Sequence, residues 1–315
     1  MTNGLVELFF RFAANGYVPA RWFEPRLPSA GEIAARTGPL HVELVSHCWN
    51  YAHWLRFQLG SLVVSPPRET RITMTVVHSP EDQGTIDLLR HYGRKTIPNV
   101  TWNWVPVEKT RLFRRAIGRN LRAKATNADW IFFTDCDQLF CRDALDALGR
   151  ELQGRREFLL FPRVAHCSQR ITEASEVTLD SHGSDPLVPE IDPARFHPVV
   201  HQKAVGGLQI VHGDVARAVG YCENLPFYQT PRKGFGNTYE DRAFRWLLGT
   251  PGVPIEVPHV YRIEHHHKGR YESRRLPAWL QPLLSSAGRA DLMAKLRRAG
   301  PPAPPPSAES PRRAA

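Results

Sequence analysis

The sequence predicts an α/β fold in which helices flank a mostly parallel central sheet. From residue 41 onward, short apolar runs rich in β-branched and aromatic side chains alternate with segments of helical periodicity, which is the order that βαβ units produce. One run, residues 130–133, is apolar throughout and is soon followed by two aspartates. An uninterrupted apolar run indicates a strand buried on both faces, as in parallel sheets.

The predicted elements follow one another along the chain. The predicted strands are residues 41–46, 71–77, 100–105, 130–134, 157–161, 207–212 and 257–265. The predicted helices are residues 51–59, 84–91, 111–125, 142–152, 214–219 and 240–247. Residues 162–203 show little periodicity, and a segment of this length is more often functional or mobile than a plain connection.

These elements divide the chain into regions. We expect an N-terminal helical extension, a main α/β domain, a basic helical segment and a disordered tail rich in Pro, Ala and Ser, at residues 1–40, 41–275, 276–300 and 301–315. The N-terminal helix is expected to cap the main domain. Shallow docking on a membrane, with Arg11 and Arg21 beside its aromatic side chains, is the alternative.

The charge of the chain favours anionic partners. Forty-one Lys and Arg against 31 Asp and Glu give a net charge of +10, which suits nucleotides, acidic polymers or an anionic membrane face. Five cysteines without a Cys-x-x-Cys pair argue against a disulfide framework or a zinc ribbon and indicate a reducing compartment. Glu7 and Arg11 interrupt the first apolar stretch, unlike a signal peptide. We therefore expect a cytoplasmic protein, with peripheral association at the inner membrane face as a further option.

Two carboxylates follow the central strand. If strand geometry continued, Asp135 and Asp137 would point to the same side, where hard oxygen ligands could hold a divalent cation that neutralises a diphosphate. Open α/β sheets bind ligands at the carboxyl ends of their strands. The pair therefore indicates a site for an activated phosphate compound, and an Asp-rich turn is the common alternative.

A second acidic pair opens the predicted helix of residues 240–247. Glu240 and Asp241 come shortly after a Gly-Phe-Gly-Asn loop, so the first helical turn would hold their carboxylates in place. A positioned carboxylate is what deprotonation of an acceptor hydroxyl requires. Acidic residues are also favoured at helix N-termini for electrostatic reasons alone, so both interpretations stand.

Late histidines and a glycine pair add to these signals. At strand period His265 and His267 share a face, and either could complete a metal site with the two aspartates; His259 is a further candidate, and a solvated histidine run is the alternative. Gly206 and Gly207 enter a predicted strand, where a ligand or loop could approach the bare backbone. A bulge is the structural alternative.

The predicted helix of residues 111–125 carries a basic face. Arg115, Arg119 and Arg122 recur at helical spacing and could pair with phosphates, or could form an ordinary solvated face. Gly118 and Asn120 interrupt an otherwise strong helix, which indicates that something approaches it closely.

The order of these motifs along the chain resembles that of the metal-dependent glycosyltransferases of the GT-A fold. Among these enzymes, it is nearest to glycosyltransferase family 2. The similar stretch covers roughly residues 41–268. Within it, the segment from Arg119-Asn120 to Asp137 resembles the family's Ala-Arg-Asn…Asp-x-Asp block, and the spacing from Asp137 to Glu240 also suits the family. The resemblance implies a hexosyltransferase-type enzyme that uses a nucleotide-diphosphate sugar, with a glycan, lipid-linked or other hydroxyl acceptor and no stable nucleic-acid partner.

The resemblance also implies roles for particular residues in metal binding. Asp135 and Asp137 would bind Mn²⁺ or Mg²⁺ that bridges the donor diphosphate. His265 or His267 would be the late ligand.

In the implied reaction, Asp241 would be the general base of an inverting displacement, and Glu240 would help to orient the acceptor. The residues that would contact or border the donor are Ser46, His47, Asp82, Arg115, Arg119, Asp135, Gly206 and Gly207. One departure from the family is that residues 78–82, which end the second strand, read His-Ser-Pro-Glu-Asp rather than a pair of aspartates.

Two other classes of protein remain as alternatives. A sugar-phosphate nucleotidyltransferase would use a similar sheet and metal, but it usually carries a Gly-rich loop with Arg and Lys after the first strand. Residues 46–50 read Ser-His-Cys-Trp-Asn instead. A basic nucleic-acid-binding protein fits the charge, but the sequence contains no recognisable binding module.

Overall fold

The computed structural model describes residues 3–24, 26–179, 185–234 and 239–266. All of them belong to one of the two compact units of the chain, Met1–Tyr271. The second unit, Glu272–Ala315, contains the predicted basic helix and the tail. Both of those predictions therefore lie outside the described residues.

Strands and helices alternate in the first part of the described chain, and several strands follow one another directly in the later part. The strands are β1 His41–Cys48, β2 Arg71–His78, β3 Val100–Pro106, β4 Trp130–Phe133, β5 Gln138–Phe140, β6 Leu159–Pro162, β7 Val164–Ser168, β8 Phe196–Val200, β9 Gln209–His212, β10 Val253–Ile255 and β11 Val260–Arg262. The helices are α1 Asn3–Phe12, α2 Ala52–Val64, α3 Gln83–Gly93, α4 Lys109–Leu112, α5 Arg115–Ala125, α6 Ala144–Glu151, α7 Gly213–Val219, α8 Pro226–Gln229 and α9 Glu240–Leu247.

The central sheet has seven strands in the order β10-β6-β9-β4-β1-β2-β3. Neighbouring strands are parallel except where β9 pairs with β4 and with β6. The carboxyl ends of β1, β2, β3 and β4 therefore meet at one edge of the sheet. The predicted α/β class, with a mostly parallel sheet flanked by helices, is confirmed.

The apolar run of β4 is explained by burial on both faces of this sheet. Trp130 and Phe132 belong to one apolar cluster, while Ile131 and Phe133 belong to the cluster on the opposite face. Successive side chains of a strand point to opposite faces, so a strand between two layers needs apolar side chains at every position. Truncation of Phe132 to Ala would cost about 3–5 kcal/mol.

A second, four-stranded sheet, β5-β11-β7-β8, differs from the prediction. Two of its strands, β7 and β8, lie inside residues 162–203, and the strand predicted over residues 257–265 is limited to β11. The predicted helix of residues 111–125 is also divided into α4 and α5, with a break at residues 113–114. The three-residue strands β5 and β11 are too short to produce a recognisable alternation.

The N-terminal segment packs against the main domain. Phe10 of α1 is buried, and its ring lies 6.1 Å from that of Phe227 and 5.9 Å from that of Tyr228 in α8. The indole Nε1 of Trp246 in α9 donates to the carbonyl of Val18 at 2.8 Å. Within the described ranges, none of the helices has both the length and the apolar character needed to cross a bilayer.

Candidate active site

Asp135 and Asp137 lie in the turn that joins β4 to β5. The amide of Gln138 donates to the carbonyl of Asp135 at 3.1 Å and closes this turn. The expectation that the two aspartates share one face of a strand is therefore wrong, because the strand ends at Phe133. Their position at the carboxyl end of β4 nevertheless agrees with the usual place of ligands in such sheets.

Arg115 connects this turn to α9. Its Nη1 donates to Asp135 Oδ1 at 3.2 Å, and its Nη2 lies 2.8 Å from Glu240 Oε1. Arg115 is the first residue of α5, and the side chain of the N-cap residue Arg114 makes no capping hydrogen bond. The positive end of the helix dipole and the guanidinium together favour an anion at this place.

Arg119, one turn further along α5, is completely buried. Its Nη1 donates to the hydroxyl of Tyr221 at 2.8 Å and to Gln209 Oε1 at 3.3 Å, and its Nη2 lies 3.8 Å from Asp135 Oδ1. A buried cation is tolerated when it is hydrogen-bonded and near a carboxylate. Arg119 is thereby fixed directly behind Asp135.

Gly206 lies between Asp135 and Asp241. Its amide donates to Asp241 Oδ2 at 3.3 Å, and its carbonyl accepts from Arg119 Nη2 at 3.1 Å. The backbone has a φ of +44° there, which favours glycine. At Gly207, a Cβ would stand 2.7 Å from the amide nitrogen of Asp135, so only glycine allows this close approach.

The two acidic residues that open α9 point in different directions. Glu240 is 1% exposed and its carboxylate binds Arg115. Asp241 is partly exposed, and its Oδ2 lies 3.2 Å from Nη1 of Arg245, one turn along the helix. The first helical turn thus holds one carboxylate inside the protein and one at the site surface.

Asp137 faces a different set of residues. Its Oδ2 lies 3.6 Å from Nε2 of His265, and its Oδ1 is buried without a hydrogen-bond partner among the described residues. The ring of His265 stacks on Trp54 at 5.0 Å and meets the edge of Tyr51 at 5.3 Å. Burial by itself would lower the pKa of nearby Arg262. The negative charges of Asp137 and Asp135 have the larger combined effect, so the pKa of Arg262 is raised.

These contacts test how well the chain fits the metal that the resemblance implies. Asp137 supplies a carboxylate with a buried, unsatisfied oxygen, which suits Mn²⁺ or Mg²⁺, and His265 supplies an adjacent imidazole nitrogen, which suits Mn²⁺ better than Mg²⁺. No group of three or more potential ligands is assembled in the described part of the chain, and Asp135 binds Arg115. The predicted ligand His267 lies outside the described residues.

Three of the predicted donor residues lie at the end of β1 and shortly after β2: Ser46, His47 and Asp82. Ser46 is buried and donates to Gln58 Oε1 at 2.6 Å. His47 packs so closely on α5 that a Cβ at Gly118 would overlap its Nε2, which explains the glycine in that helix. Asp82 caps α3 through the amide of Thr85 at 3.1 Å.

Asp82 also accepts from the amide of Asn50 at 2.6 Å. Ser46 and Asp82 are therefore tied into the scaffold around the site, and direct contacts with a donor stay a prediction for both.

The basic face predicted for α5 is divided. Arg115 and Arg119 reach Asp135, whereas Arg122 pairs with Glu43 of β1, with 2.8 Å between Nε and Oε1. Asn120, the other interruption of the helix, accepts from the amide of Tyr221 through its side chain at 2.8 Å.

Sequence reasoning missed several residues that support the site. Gln58 donates through Nε2 to the carbonyl of Asp135 at 3.0 Å, and Gln209 accepts from both Arg119 and Tyr221. The available signal was a polar side chain in an otherwise apolar strand or helix face, because buried polar groups need partners. The position of half-buried Arg262 beside the aspartates, which raise its pKa, had no comparable signal.

Comparisons with known proteins give structural similarities only. The chain is similar to S. aureus TarS 1-349 in complex with UDP-GlcNAc, with 10% identity, a TM-score of 0.47, and coverage of 74% of this chain and 61% of that one. It is also similar to the mannosyltransferase PcManGT from Pyrobaculum calidifontis in complex with GDP-Man and Mn²⁺, with 15% identity, a TM-score of 0.42, and coverage of 96% and 78%.

The TarS 1-349 structure without a named ligand has 11% identity, a TM-score of 0.45 and coverage of 73% and 58%. The chain thus spans 58–61% of the length of this TarS fragment. No family model and no curated protein matches the chain. At these identities and TM-scores, the similarities define neither an activity nor a substrate, which have to be argued from the chain's own residues.

Proposed function

We propose that the protein is a nucleotide-sugar-dependent glycosyltransferase of the GT-A kind. The single observation that carries the proposal is the position of Gly206, whose amide binds Asp241 at 3.3 Å and whose carbonyl binds Arg119 at 3.1 Å. One residue thereby links a partly exposed carboxylate, suited to act as a base, with the buried arginine that lies behind Asp135. The acceptor hydroxyl and the donor phosphates would then bind on either side of Gly206.

The donor diphosphate would bind at the start of α5. Arg115 is partly exposed and would face the phosphates together with the amide groups of the helix N-terminus. The buried Arg119 would add its positive charge from behind Asp135 without touching the donor. Asp137 and His265 would hold Mn²⁺ or Mg²⁺, and Asp135 is the further ligand that the sequence resemblance implies. When bound, a divalent cation neutralises charge that develops on the leaving nucleoside diphosphate.

Asp241 would act as the general base in an inverting displacement. Its carboxylate takes the proton of the acceptor hydroxyl while that oxygen bonds to the anomeric carbon and the bond from this carbon to the diphosphate breaks. Gly206 and Arg245 hold the carboxylate through its Oδ2. Glu240, which is buried against Arg115, would fix the phosphate-binding arginine and affect the acceptor only through it.

The substitution Asp241→Asn tests this assignment. We expect donor binding within about two-fold of the wild type, because Arg115, the residue proposed to bind the phosphates, is unchanged. Transfer should fall by on the order of 10²–10⁴. Donor affinity is measured by calorimetry with Mn²⁺, and transfer by release of nucleoside diphosphate from UDP-, GDP- and dTDP-sugars with alkyl glycosides and polyprenyl phosphates as acceptors.

The matched control is Asp87→Asn, at an exposed aspartate on α3 whose side chain pairs with its helix neighbours Gln83 and Arg90. It should leave both quantities unchanged. Wild-type transfer in Asp241→Asn would remove Asp241 as the base. Loss of donor binding in the same variant would assign Asp241 to the donor site instead.

A further inference from the structure

Helix α1 has two neighbouring apolar faces, one buried and one exposed. Val6, Phe10 and Ala13 recur at helical spacing and pack against the main domain. On the neighbouring face, Leu5, Leu8, Phe9 and Phe12 also recur at helical spacing, and they are 62%, 59%, 44% and 52% exposed. The ring of Tyr17 extends this second face by stacking on Phe12 at 4.5 Å. These five residues form the outer apolar face.

An exposed apolar surface of this kind needs an explanation. Single exposed apolar side chains are normal on soluble proteins, but contiguous patches usually mark an interaction site. Exposed apolar residues elsewhere in the described chain, such as Leu121 and Val200, are isolated in sequence. Among the described helices, α1 is therefore distinguished by several exposed apolar side chains on one face.

We propose that the outer apolar face docks the protein on an anionic lipid bilayer. An amphipathic helix that lies in the interface inserts Leu, Phe and Trp side chains between lipids, and basic residues beside it bind the headgroups. Arg21 and Trp22 follow the face along the chain, and both are exposed, Trp22 at 69%. Aromatic and basic side chains together are suited to this boundary.

Charge favours a bilayer over the other occupants. Two copies of a chain with a net charge of +10 repel each other, whereas an anionic surface attracts them. Residues 267–315 contain ten Lys and Arg against three Asp and Glu. That segment therefore adds positive charge of the kind that anionic lipid headgroups attract.

The docking surface adjoins the candidate active site. The guanidinium of Arg11 lies 4.1 Å from the ring centre of Tyr239, the residue immediately before Glu240. Arg242, in the first turn of α9, hydrogen-bonds Asn15. Docking would thus bring the helix that carries Asp241 close to the bilayer and favour a membrane-borne hydroxyl acceptor. This last step rests on the proposed function, but the docking itself does not.

Co-sedimentation with vesicles tests the docking. The full-length protein is mixed, without donor or metal, with vesicles of phosphatidylcholine or of phosphatidylcholine and phosphatidylglycerol. We expect binding to the anionic vesicles that weakens with added salt. The variant Leu8→Ser/Phe12→Ser should bind at least about ten-fold more weakly, while the control Leu121→Ser/Val200→Ser should bind like the wild type.

Several outcomes would overturn the proposal. Absence of binding to anionic vesicles, or binding that Leu8→Ser/Phe12→Ser leaves unchanged, would exclude the outer apolar face as the docking surface. A wild-type dimer in light scattering that becomes a monomer in this variant would assign the face to a second copy. Donor affinity, measured separately on the same variant, should be unchanged, so failure of docking and failure of the transferase proposal are distinguishable.

Discussion

The guanidinium of Arg115 lies 2.8 Å from the carboxylate of Glu240, measured from Nη2 to Oε1, and this carboxylate is 1% exposed. The same guanidinium donates to Asp135 at 3.2 Å. One arginine therefore neutralises two carboxylates from distant parts of the chain, and it holds the β4–β5 turn against α9. The stability of the fold and the geometry of the candidate site depend on the same side chain.

Replacement of Arg115 by Ala should destabilise the protein by about 2–3 kcal/mol, because the buried Glu240 carboxylate loses its cationic partner. The free energy of unfolding in urea measures this. Arg90→Ala removes an arginine whose ion pair with Asp87 is more than half exposed on both sides and should cost less than about 1 kcal/mol. Equal losses in the two variants would contradict the structural role of Arg115.

A second substitution, at Glu240, distinguishes two causes of the lost stability: the unpaired Glu240 charge and the lost packing of the Arg115 side chain. In Arg115→Ala/Glu240→Gln the buried charge is removed together with its partner. Part of the lost stability should then return, since an unpaired buried charge costs more than a neutral amide.

Replacement of Gly207 by Ala should weaken donor binding by on the order of ten-fold or more, because small displacements of a positioned group have large effects. The added Cβ would stand 2.6 Å from Gln138 Oε1 and 2.7 Å from the amide nitrogen of Asp135, so the turn that carries the aspartates must shift. Calorimetric titration with the nucleotide that binds the wild type measures the effect. Gly31→Ala, at a glycine whose Cβ would meet nothing within 4 Å, is the control and should bind normally.

Stability should fall as the pH is lowered through about 6.5. Burial lowers the pKa of His212 more than nearby Asp214 raises it. Two hydrogen bonds suit the neutral ring: Nε2 donates to the carbonyl of Ala34 at 3.1 Å, and Nδ1 accepts from the amide of Asp214 at 3.2 Å. The unfolded chain therefore binds more protons below its ordinary histidine pKa. His212 contributes most above that pH, and its contribution is lost as the pH falls toward the lowered value.

Urea unfolding at pH 7.5 and at pH 5.5 tests this dependence. The loss of unfolding free energy between the two conditions should be about 1 kcal/mol smaller in His212→Gln than in the wild type. The exposed His197→Gln variant should lose as much as the wild type. An identical pH dependence in His212→Gln would refute the contribution of this buried ring.

The sequence allowed the main strands and the start of α9 to be predicted. The strands β1 and β2 are rich in β-branched and apolar residues, β4 is an apolar run, and Glu240 follows a glycine-containing loop. The second sheet could not be predicted, since β5 and β11 have three residues each and depend on tertiary pairing rather than on local pattern. Helical spacing placed Arg122 beside Arg115, but it could not indicate that Glu43 of β1 would bind it. Contacts between distant segments decide such details, and one sequence does not contain them.

Gly118 shows the same difference between what a local pattern predicts and what contacts between distant segments decide. Gly118 was correctly interpreted as a place of close approach, because glycine inside a strong helix needs a reason. The identity of the approaching group, the ring of His47, became evident only when β1 and α5 were placed together.

The central claim, that the β4–β5 turn binds a nucleoside diphosphate with a divalent cation, is tested most directly by thermal stabilisation. The melting temperature is measured with UDP, GDP, TDP and CDP, each with and without Mn²⁺, in the wild type, in Asp137→Ala and in the control Asp143→Ala at a more exposed aspartate. We predict a metal-dependent rise with one nucleotide that is lost in Asp137→Ala and kept in Asp143→Ala. A rise that persists in Asp137→Ala, or no rise with any of the nucleotides, would contradict the account.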